Sequence, residues 1–128
     1  MMQIVNTQYD YDIDECGVIL LDYQRRCVMI VYQNESRKWG LPKGRMSEDE
    51  RLSRDYFECA IRELNEETGI DLKMNGCVLL GSVQFWNKLF FAIQLNKYMY
   101  PRLPLDKREI RCSRWLPLSD LKQFVSTA

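Results

Sequence analysis

Residues 39–44 read WGLPKG and residues 62–70 read RELNEETGI, and these two segments decide the fold of the chain. The second segment carries three glutamates with the spacing i, i+3 and i+4, namely Glu63, Glu66 and Glu67. If residues 54–68 are helical, these carboxylates lie on one face, within about one turn of each other. Carboxylates that close repel, and a divalent cation is the simplest group that compensates them. The spacing therefore predicts a metal site.

The same helix has an apolar face. Its apolar residues recur at i, i+3, i+4 and i+7, at Phe57, Ala60, Ile61 and Leu64. On a helical wheel the centre of this face lies a little over about 100° from the centre of the carboxylates, taking about 100° per residue. The helix can therefore pack on a sheet and present its carboxylates sideways, and Gly69 fits its C-terminal stop.

The remaining elements are short strands separated by turns, which gives an α+β pattern. We expect a hairpin of residues 16–22 and 27–33, a loop over 35–44 and a polar, acidic segment over 46–53. Further strands are expected at 76–86, 89–98 and 109–116, with Asn87-Lys88 as a turn and a terminal helix from Ser119-Asp120 to Val125.

Length and composition bound the class of protein. With 128 residues and 46% hydrophobic content, the chain is expected to form a single domain over residues 1–128. It has no apolar run of about 18 residues and begins with a polar, acidic segment, so we expect a soluble, cytoplasmic protein without a membrane partner. The five cysteines form no C-x-x-C pair and there is no histidine, which argues against zinc and excludes histidine catalysis.

Charge is balanced overall but unevenly distributed. Residues 17–46 carry six bases against two acids, residues 47–71 carry nine acids against three bases, and residues 97–128 carry seven bases against three acids. This alternation suits a site that holds both a cation and a polyanionic substrate, although ordinary solvated faces would give it too.

These motifs resemble the Nudix hydrolase family, whose signature is Gly, five residues, Glu, seven residues, then Arg-Glu-apolar-x-Glu-Glu-x-Gly-apolar. Residues 62–70 match the second half without exception, and Gly44 is followed after five residues by Glu50. Eleven residues then separate Glu50 from Arg62, which is a four-residue insertion. Strict counting back from Arg62 reaches Arg54, so Glu50 is the natural substitute and Glu48 a second candidate.

The resemblance implies a Nudix fold, in which a mixed β-sheet is sandwiched between helices and a loop–helix–loop forms the catalytic core. It also implies hydrolysis of a nucleoside diphosphate linked to another group, by attack of water on phosphorus. Mg²⁺ or Mn²⁺ is the implied cofactor, because such ions neutralise the diphosphate and prefer the hard oxygen ligands of glutamate.

Carried over to this chain, the resemblance assigns roles to individual residues. The implied metal ligands are Glu63, Glu66, Glu67 and the backbone carbonyl of Lys43, and the implied structural residues of the motif are Gly44, Glu50, Arg62 and Gly69. Glu67 and Glu66 are candidate catalytic carboxylates. Glu109 is a further candidate base, because residues 109–115 resemble the Glu-Ile-x-x-x-x-Trp segment of many members.

The substrate is the least constrained expectation. Residues 39–45, 59–63 and the Glu109 segment look most similar to the mRNA-decapping branch, including decapping-type enzymes of large DNA viruses, so a nucleotide or capped RNA is the implied partner. Lys43, Arg45 and Trp86 are the candidate substrate-binding residues. Diphosphoinositol polyphosphates, diadenosine polyphosphates, nucleotide sugars and oxidised nucleotides are rival substrates. A catalytically silent binding domain is the alternative outside enzymes, and the oligomeric state stays open.

Overall fold

The computed structural model describes residues 12–72, 76–102, 104–105 and 108–122. In chain order, its elements are β1 (Glu15–Asp22), β2 (Cys27–Gln33), β3 (Lys38–Gly40), β4 (Lys43–Arg45), α1 (Glu48–Ser53), α2 (Tyr56–Thr68), β5 (Cys77–Phe85), β6 (Lys88–Leu95) and β7 (Ile110–Pro117). A 3-10 turn at Leu118–Asp120 follows β7.

All seven strands belong to one mixed sheet, as expected for the α+β class. Its main path is β3-β2-β1-β6-β5, with β7 beside β2 and β4 beside β1. Strands β1 and β6 are parallel, from the pair Glu15↔Lys88 to the pair Asp22↔Leu95, whereas the other ladders are antiparallel. The parallel pair brings the starts of β1 and β6 to the same end of the sheet.

Strands β1 and β2 form the expected hairpin but separate soon after the turn. Their ladder comprises only the pairs Leu21↔Val28 and Asp22↔Cys27. Strand β4 pairs with the start of β1 instead, where Cys16 faces Gly44. The three-residue strand β4 thereby carries the WGLPKG segment into the sheet, directly beneath α2.

Helix α2 packs on one face of the sheet. Ala60, Ile61 and Leu64 are buried there, together with β1 residues such as Val18 and Leu20. Phe57 does not complete this face as predicted, because the residue is 38% exposed, with its ring in an edge-to-face arrangement with Phe91. Cys59, which is fully buried, takes its place in the core.

The sequence prediction missed three short elements between β2 and α2. The expected loop at 35–44 contains β3 and β4, and the expected polar segment at 46–53 contains α1. Three-residue strands are too short to show an alternating pattern, and α1 has no buried residue that would show helical periodicity. Helix α2 also begins at Tyr56, two residues later than predicted, because α1 ends at Arg54 in a left-handed conformation.

Two turn predictions also need correction. The turn between β5 and β6 is Trp86-Asn87, one residue earlier than the predicted Asn87-Lys88. Ser119 lies inside the 3-10 turn rather than capping a helix, residues 121–122 are helical, and the rest of the predicted terminal helix, residues 123–125, lies outside the described residues. The C-terminal stop of α2 is confirmed, since Gly69 caps it with a φ of 74°.

The helices in the described part of the chain are too short or too polar to cross a membrane.

The packing of α2 gives a stability prediction. Leu64 is fully buried, whereas Leu52 on α1 is 78% exposed. Leu64→Ala should lower the free energy of unfolding by about 2–5 kcal/mol, because it removes buried apolar surface and leaves a cavity. Leu52→Ala, which makes the same chemical change, should stay within about 0.5 kcal/mol of the parent. Urea unfolding of both variants measures this difference, and equal losses would contradict the placement of α2.

Candidate active site

Arg62 is the centre of the candidate site, and its firmest partner is Glu50. Arg62 Nε donates to Glu50 Oε2 at 2.9 Å, and Arg62 Nη2 donates to Glu50 Oε1 at 2.8 Å. Two parallel bonds of this kind are stronger and more directional than a single ion pair. The hydrogen bond from Arg62 lowers the pKa of Glu50 to about 2, so this carboxylate stays ionised.

The remaining donors of Arg62 bind helix α2 and the end of strand β4. Its Nη1 donates to Glu63 Oε1 at 2.9 Å and to the two Glu66 oxygens at 3.1 and 3.2 Å. Its Nη2 also donates to the carbonyl of Arg45 at 3.0 Å. One guanidinium therefore holds together α1, α2 and the end of β4.

The four-residue insertion is accommodated by α1, which places Glu50 against Arg62. The helix begins at a capping box, in which the Glu50 backbone donates to the Ser47 hydroxyl at 3.1 Å and the Ser47 backbone donates to the Glu50 carboxylate at 2.8 Å. Arg54 then reverses the chain. Glu48, the second candidate, is exposed, so the structure places Glu50 and not Glu48 beside Arg62.

Glu63 is buried against the backbone of Gly44. The residue is 6% exposed, and a Cβ added at Gly44 would collide with its carboxylate. Gly44 is therefore required for close approach between β4 and α2. Burial raises the pKa of Glu63 to about 7, which means that desolvation outweighs the attraction of Arg62.

Glu67 is the most deeply buried carboxylate of the site, at 1% exposure. The Lys43 backbone N–H donates to its Oε1 at 3.0 Å, while its buried Oε2 has no hydrogen-bond partner. Burial is the main cause that raises the pKa of Glu67 to about 8; the Lys43 hydrogen bond opposes this rise, and the charges of Glu63 and Glu109 contribute to it. A buried oxygen without a partner is costly, so it marks the place where a cation or a proton belongs.

Glu109 lies within electrostatic range of the site although it is far away in sequence. Its negative charge raises the pKa of both Glu63 and Glu67. The segment before β7 is fixed to the turn after β2, because the Asn34 N–H donates to the Glu109 carbonyl at 2.8 Å and Asn34 Nδ2 donates to the Arg108 carbonyl at 3.1 Å. The structure thus brings Glu109 towards the carboxylates of α2.

The predicted substrate-binding residues lie on the side of the site next to β1 and β6. The ammonium of Lys43 pairs with Glu15 at 3.0 Å, and Lys88 approaches the other oxygen of Glu15 at 3.9 Å. Arg45 is exposed, and Trp86 is 76% exposed at the β5–β6 turn. The role of these side chains in substrate binding stays a prediction.

Sequence reasoning missed Glu15 and Asn34. The importance of Glu15 follows from the strand register, which places it opposite Arg45 on β4 and Lys88 on β6. Asn34 acts through its bonds to residues 108 and 109, which are more than seventy positions away. A contact between strands so distant in sequence leaves no local pattern, and Glu15 is the last acid of an acidic stretch at residues 10–15, so it did not stand out.

The donor set fits a hard divalent cation, although the ligands are not gathered around one point. In the conformation described for residues 12–72, 76–102, 104–105 and 108–122, no three acidic or cysteine side chains form a ready metal cluster. Glu67 Oε2 is nevertheless an unpartnered, buried oxygen, and carboxylate oxygens are the ligands that Mg²⁺ and Mn²⁺ prefer. A cation bound beside it would have to share Glu63 and Glu66 with Arg62.

The chain matches a known protein family over most of its length. A family model described as NUDIX domain matches residues 14–127. This match covers both halves of the motif and confirms the resemblance that was predicted from residues 44–70.

Several similar curated proteins are decapping proteins of much greater length. The mRNA decapping complex subunit 2 of Schizosaccharomyces pombe is 32% identical over 116 residues, which is 84% of this chain and 15% of that protein. The m7GpppN-mRNA hydrolase of Saccharomyces cerevisiae is 32% identical over 124 residues, which is 94% of this chain and 12% of that protein. The chain therefore spans less than a sixth of the length of either relative.

Solved structures share the fold at low sequence identity. A Caenorhabditis elegans Ap4A hydrolase binary complex matches with a TM-score of 0.67 and 17% identity, covering 88% of this chain and 86% of that chain. The NUDIX domain of Shewanella oneidensis NrtR complexed with ADP ribose matches with a TM-score of 0.65 and 19% identity, covering 93% and 83%. These likenesses confirm the fold.

The two raised pKa values predict how stability depends on pH without a cation. Between about pH 5 and pH 8 the folded protein binds more protons at Glu63 and Glu67 than the unfolded chain does, so stability should fall as pH rises. The loss should exceed about 1.4 kcal/mol, the value of one pKa unit. Glu50 acts in the opposite sense, but only below its usual pKa of 4.5. Urea unfolding in EDTA across this range measures the slope.

Glu67→Gln provides the control, because a neutral amide cannot titrate and the slope should flatten. Mg²⁺ added at about pH 8 should restore stability to the parent, since a cation that binds only the folded state stabilises it. Constant or rising stability of the parent over this range in EDTA would contradict the burial of these carboxylates.

Proposed function

The chain belongs to the NUDIX domain family of hydrolases, and we propose that it is a metal-dependent pyrophosphohydrolase. It would cleave a phosphoanhydride bond in a nucleoside diphosphate-linked substrate. The mRNA 5′ cap is the first candidate substrate. The observation that carries this proposal is the buried carboxylate of Glu67, whose Oε2 has no hydrogen-bond partner and which lies beside Glu63 on the same helix. Such a group is poised to receive a cation or a proton.

The proposed cofactor is Mg²⁺ or Mn²⁺, held by Glu63, Glu66, Glu67 and the Lys43 carbonyl. When bound, the cation would supply neutralisation of the phosphate charge that otherwise repels the attacking water. The roles of the chain's own residues follow from the contacts. Arg62 orients Glu63 and Glu66, and Gly44 admits the Glu63 carboxylate beside the β4 backbone.

Glu67 is the proposed general base. Before a cation binds, burial raises the pKa of Glu67 to about 8, and a cation bound beside it would favour the ionised form that can accept a proton. It would accept the proton of the water that attacks phosphorus, while the phosphoanhydride oxygen leaves with the second product. Glu109 is the second candidate, because its charge already acts on Glu63 and Glu67.

Capped RNA is proposed as the substrate because several of the similar curated proteins are named as decapping proteins. The match covers 84% of this chain with S. pombe decapping complex subunit 2, but only 15% of that protein. The activity of the whole relative therefore supports the proposal without establishing it. The structural neighbours support the fold and do not choose between capped RNA and smaller dinucleotides.

A substrate panel tests the proposal. The protein should release m7GDP from capped RNA in the presence of Mg²⁺ or Mn²⁺, and EDTA should abolish the release, as measured by chromatography of labelled products. Diadenosine polyphosphates, diphosphoinositol polyphosphates and nucleotide sugars make up the rest of the panel. Hydrolysis of one of these compounds instead of capped RNA would change the substrate assignment. Binding of a ligand without turnover of any compound would refute the proposal that the protein is an enzyme.

Variants test the assignment of the base. Glu67→Gln should lower kcat by about 10²–10⁴-fold, the usual contribution of general acid–base catalysis, and Glu109→Gln should cause a smaller loss. Glu48→Gln is the matched control, because Glu48 is exposed on α1 and outside the Arg62 cluster, so its kcat should be unchanged. Near-normal turnover by Glu67→Gln would move the base elsewhere, and an unchanged Glu109→Gln would make Glu109 structural.

A further inference from the structure

Trp86 has an unusual conformation for its position. It is the first residue of the two-residue turn between β5 and β6, and its φ is 56°. Glycine is the usual residue where only the first position of such a hairpin turn has a positive φ. A bulky aromatic side chain is strained there, and residues held in strained conformations cluster at functional sites.

The backbone around Trp86 is firmly held. Gln84 Nε2 donates to the Trp86 carbonyl at 2.7 Å. The Asn87 carbonyl accepts from the backbone of Asp14 at 2.9 Å and of Glu15 at 3.3 Å, and Asn87 Nδ2 donates to the Asp14 carboxylate at 3.0 Å. These hydrogen bonds hold the backbone of the turn in place, while 76% of the Trp86 surface is exposed.

A row of side chains crosses the sheet from this turn to the end of β4. The strand register aligns Phe85 with Lys88, Lys88 with Glu15, and Glu15 with Arg45, across β5, β6, β1 and β4. Cross-strand partners project from the same face of a sheet, so the row spans about 14 Å at about 4.8 Å per strand. It ends at Arg45, whose backbone carbonyl accepts from Arg62. The row lies on the face of the sheet away from α2, because the neighbouring residue Gly44 faces the Glu63 carboxylate and side chains alternate along a strand.

The surroundings of the row are basic and aromatic. Phe85, next to Trp86, is 57% exposed. Two acids beside the turn, Asp14 and Glu15, have four bases around them: Lys43 and Lys88 at Glu15, and Arg51 and Arg45 at Asp14. Exposed aromatic rings flanked by cations are the surface that single-stranded nucleic acid recognises, through base stacking and phosphate contacts. Protein interfaces, in contrast, are depleted of lysine.

We propose that the tip of the β5–β6 hairpin, formed by Phe85, Trp86 and Lys88 and continued by Arg45, is a platform that binds single-stranded RNA, with a base stacked on Trp86. The platform would hold the transcript on the strands beside β4, whose end contacts Arg62, so this inference extends the proposed function and rests on it for the identity of the RNA. Binding at the platform requires no cation and no turnover.

The test is RNA binding without catalysis. The probe is a fluorescein-labelled, uncapped single-stranded RNA of about twelve nucleotides, measured by fluorescence anisotropy in EDTA. Trp86→Ala should weaken binding about tenfold or more, and Trp86→Phe should retain most of it, because stacking needs an aromatic face. Added salt should weaken binding by the parent protein. The control is Tyr23→Ala, which removes another aromatic residue that is 69% exposed, in the turn after β1.

Trp86→Gly separates a loss of binding from a loss of folding. Glycine favours the positive φ of this turn, so the variant should unfold at the same or a higher urea concentration than the parent, yet bind RNA as poorly as Trp86→Ala. Unchanged RNA binding by Trp86→Ala and Trp86→Gly would overturn the platform. So would light-scattering evidence of a dimer that either variant disrupts without affecting RNA binding, because the tip would then be a protein interface.

These results are distinguishable from failure of the proposed function. If capped RNA is not hydrolysed but Trp86→Ala still weakens RNA binding, the platform stands and the substrate assignment falls. If Glu67→Gln abolishes cap hydrolysis but Trp86→Ala binds RNA like the parent, the hydrolase stands and the platform falls.

Discussion

The site depends on one guanidinium that satisfies several carboxylates. Arg62 binds Glu50 with two bonds, shares its Nη1 between Glu63 and Glu66, and donates to the carbonyl of Arg45. Without the positive charge of this guanidinium, the three acidic side chains Glu50, Glu63 and Glu66 would repel one another in a partly buried space. The arginine is therefore what allows α1, α2 and β4 to meet.

Arg62 contacts Glu50 but does not neutralise Glu67. The carboxylates of the site therefore fall into two kinds, according to whether the guanidinium binds them. Glu50, held by the guanidinium, has a pKa of about 2 and is permanently charged. Glu67, held by a single backbone N–H, has a pKa of about 8 and a vacant oxygen. The first kind fixes geometry, whereas the second can exchange a proton for a cation. Burial and the number of donors, rather than residue type, separate the two roles.

Much of this arrangement could be predicted from the sequence, because it follows from local periodicity. The helical spacing of Ala60, Ile61 and Leu64 predicted the buried face, and the spacing of the three glutamates predicted the acidic side. Strand β4, helix α1 and the pairing of Glu15 with Lys43 were not predictable in this way. The two elements are too short to show a period, and the ion pair depends on a register between distant strands. The prediction that Phe57 is buried was wrong, because an apolar residue in the first turn of a helix does not always have an apolar surface to pack against.

Helix α1 has a consequence for how such sites are found in other chains. It is a self-contained unit, closed by a capping box at Ser47 and by a left-handed residue at Arg54, so it absorbs additional residues while Glu50 remains at Arg62. The position of this glutamate is thus specified by contact with the guanidinium and not by its distance along the chain. A motif written with a fixed gap would select Arg54 and reject a chain whose geometry is intact. An elastic gap before the arginine, combined with a requirement for an acidic residue in a short capped helix, describes the site more faithfully.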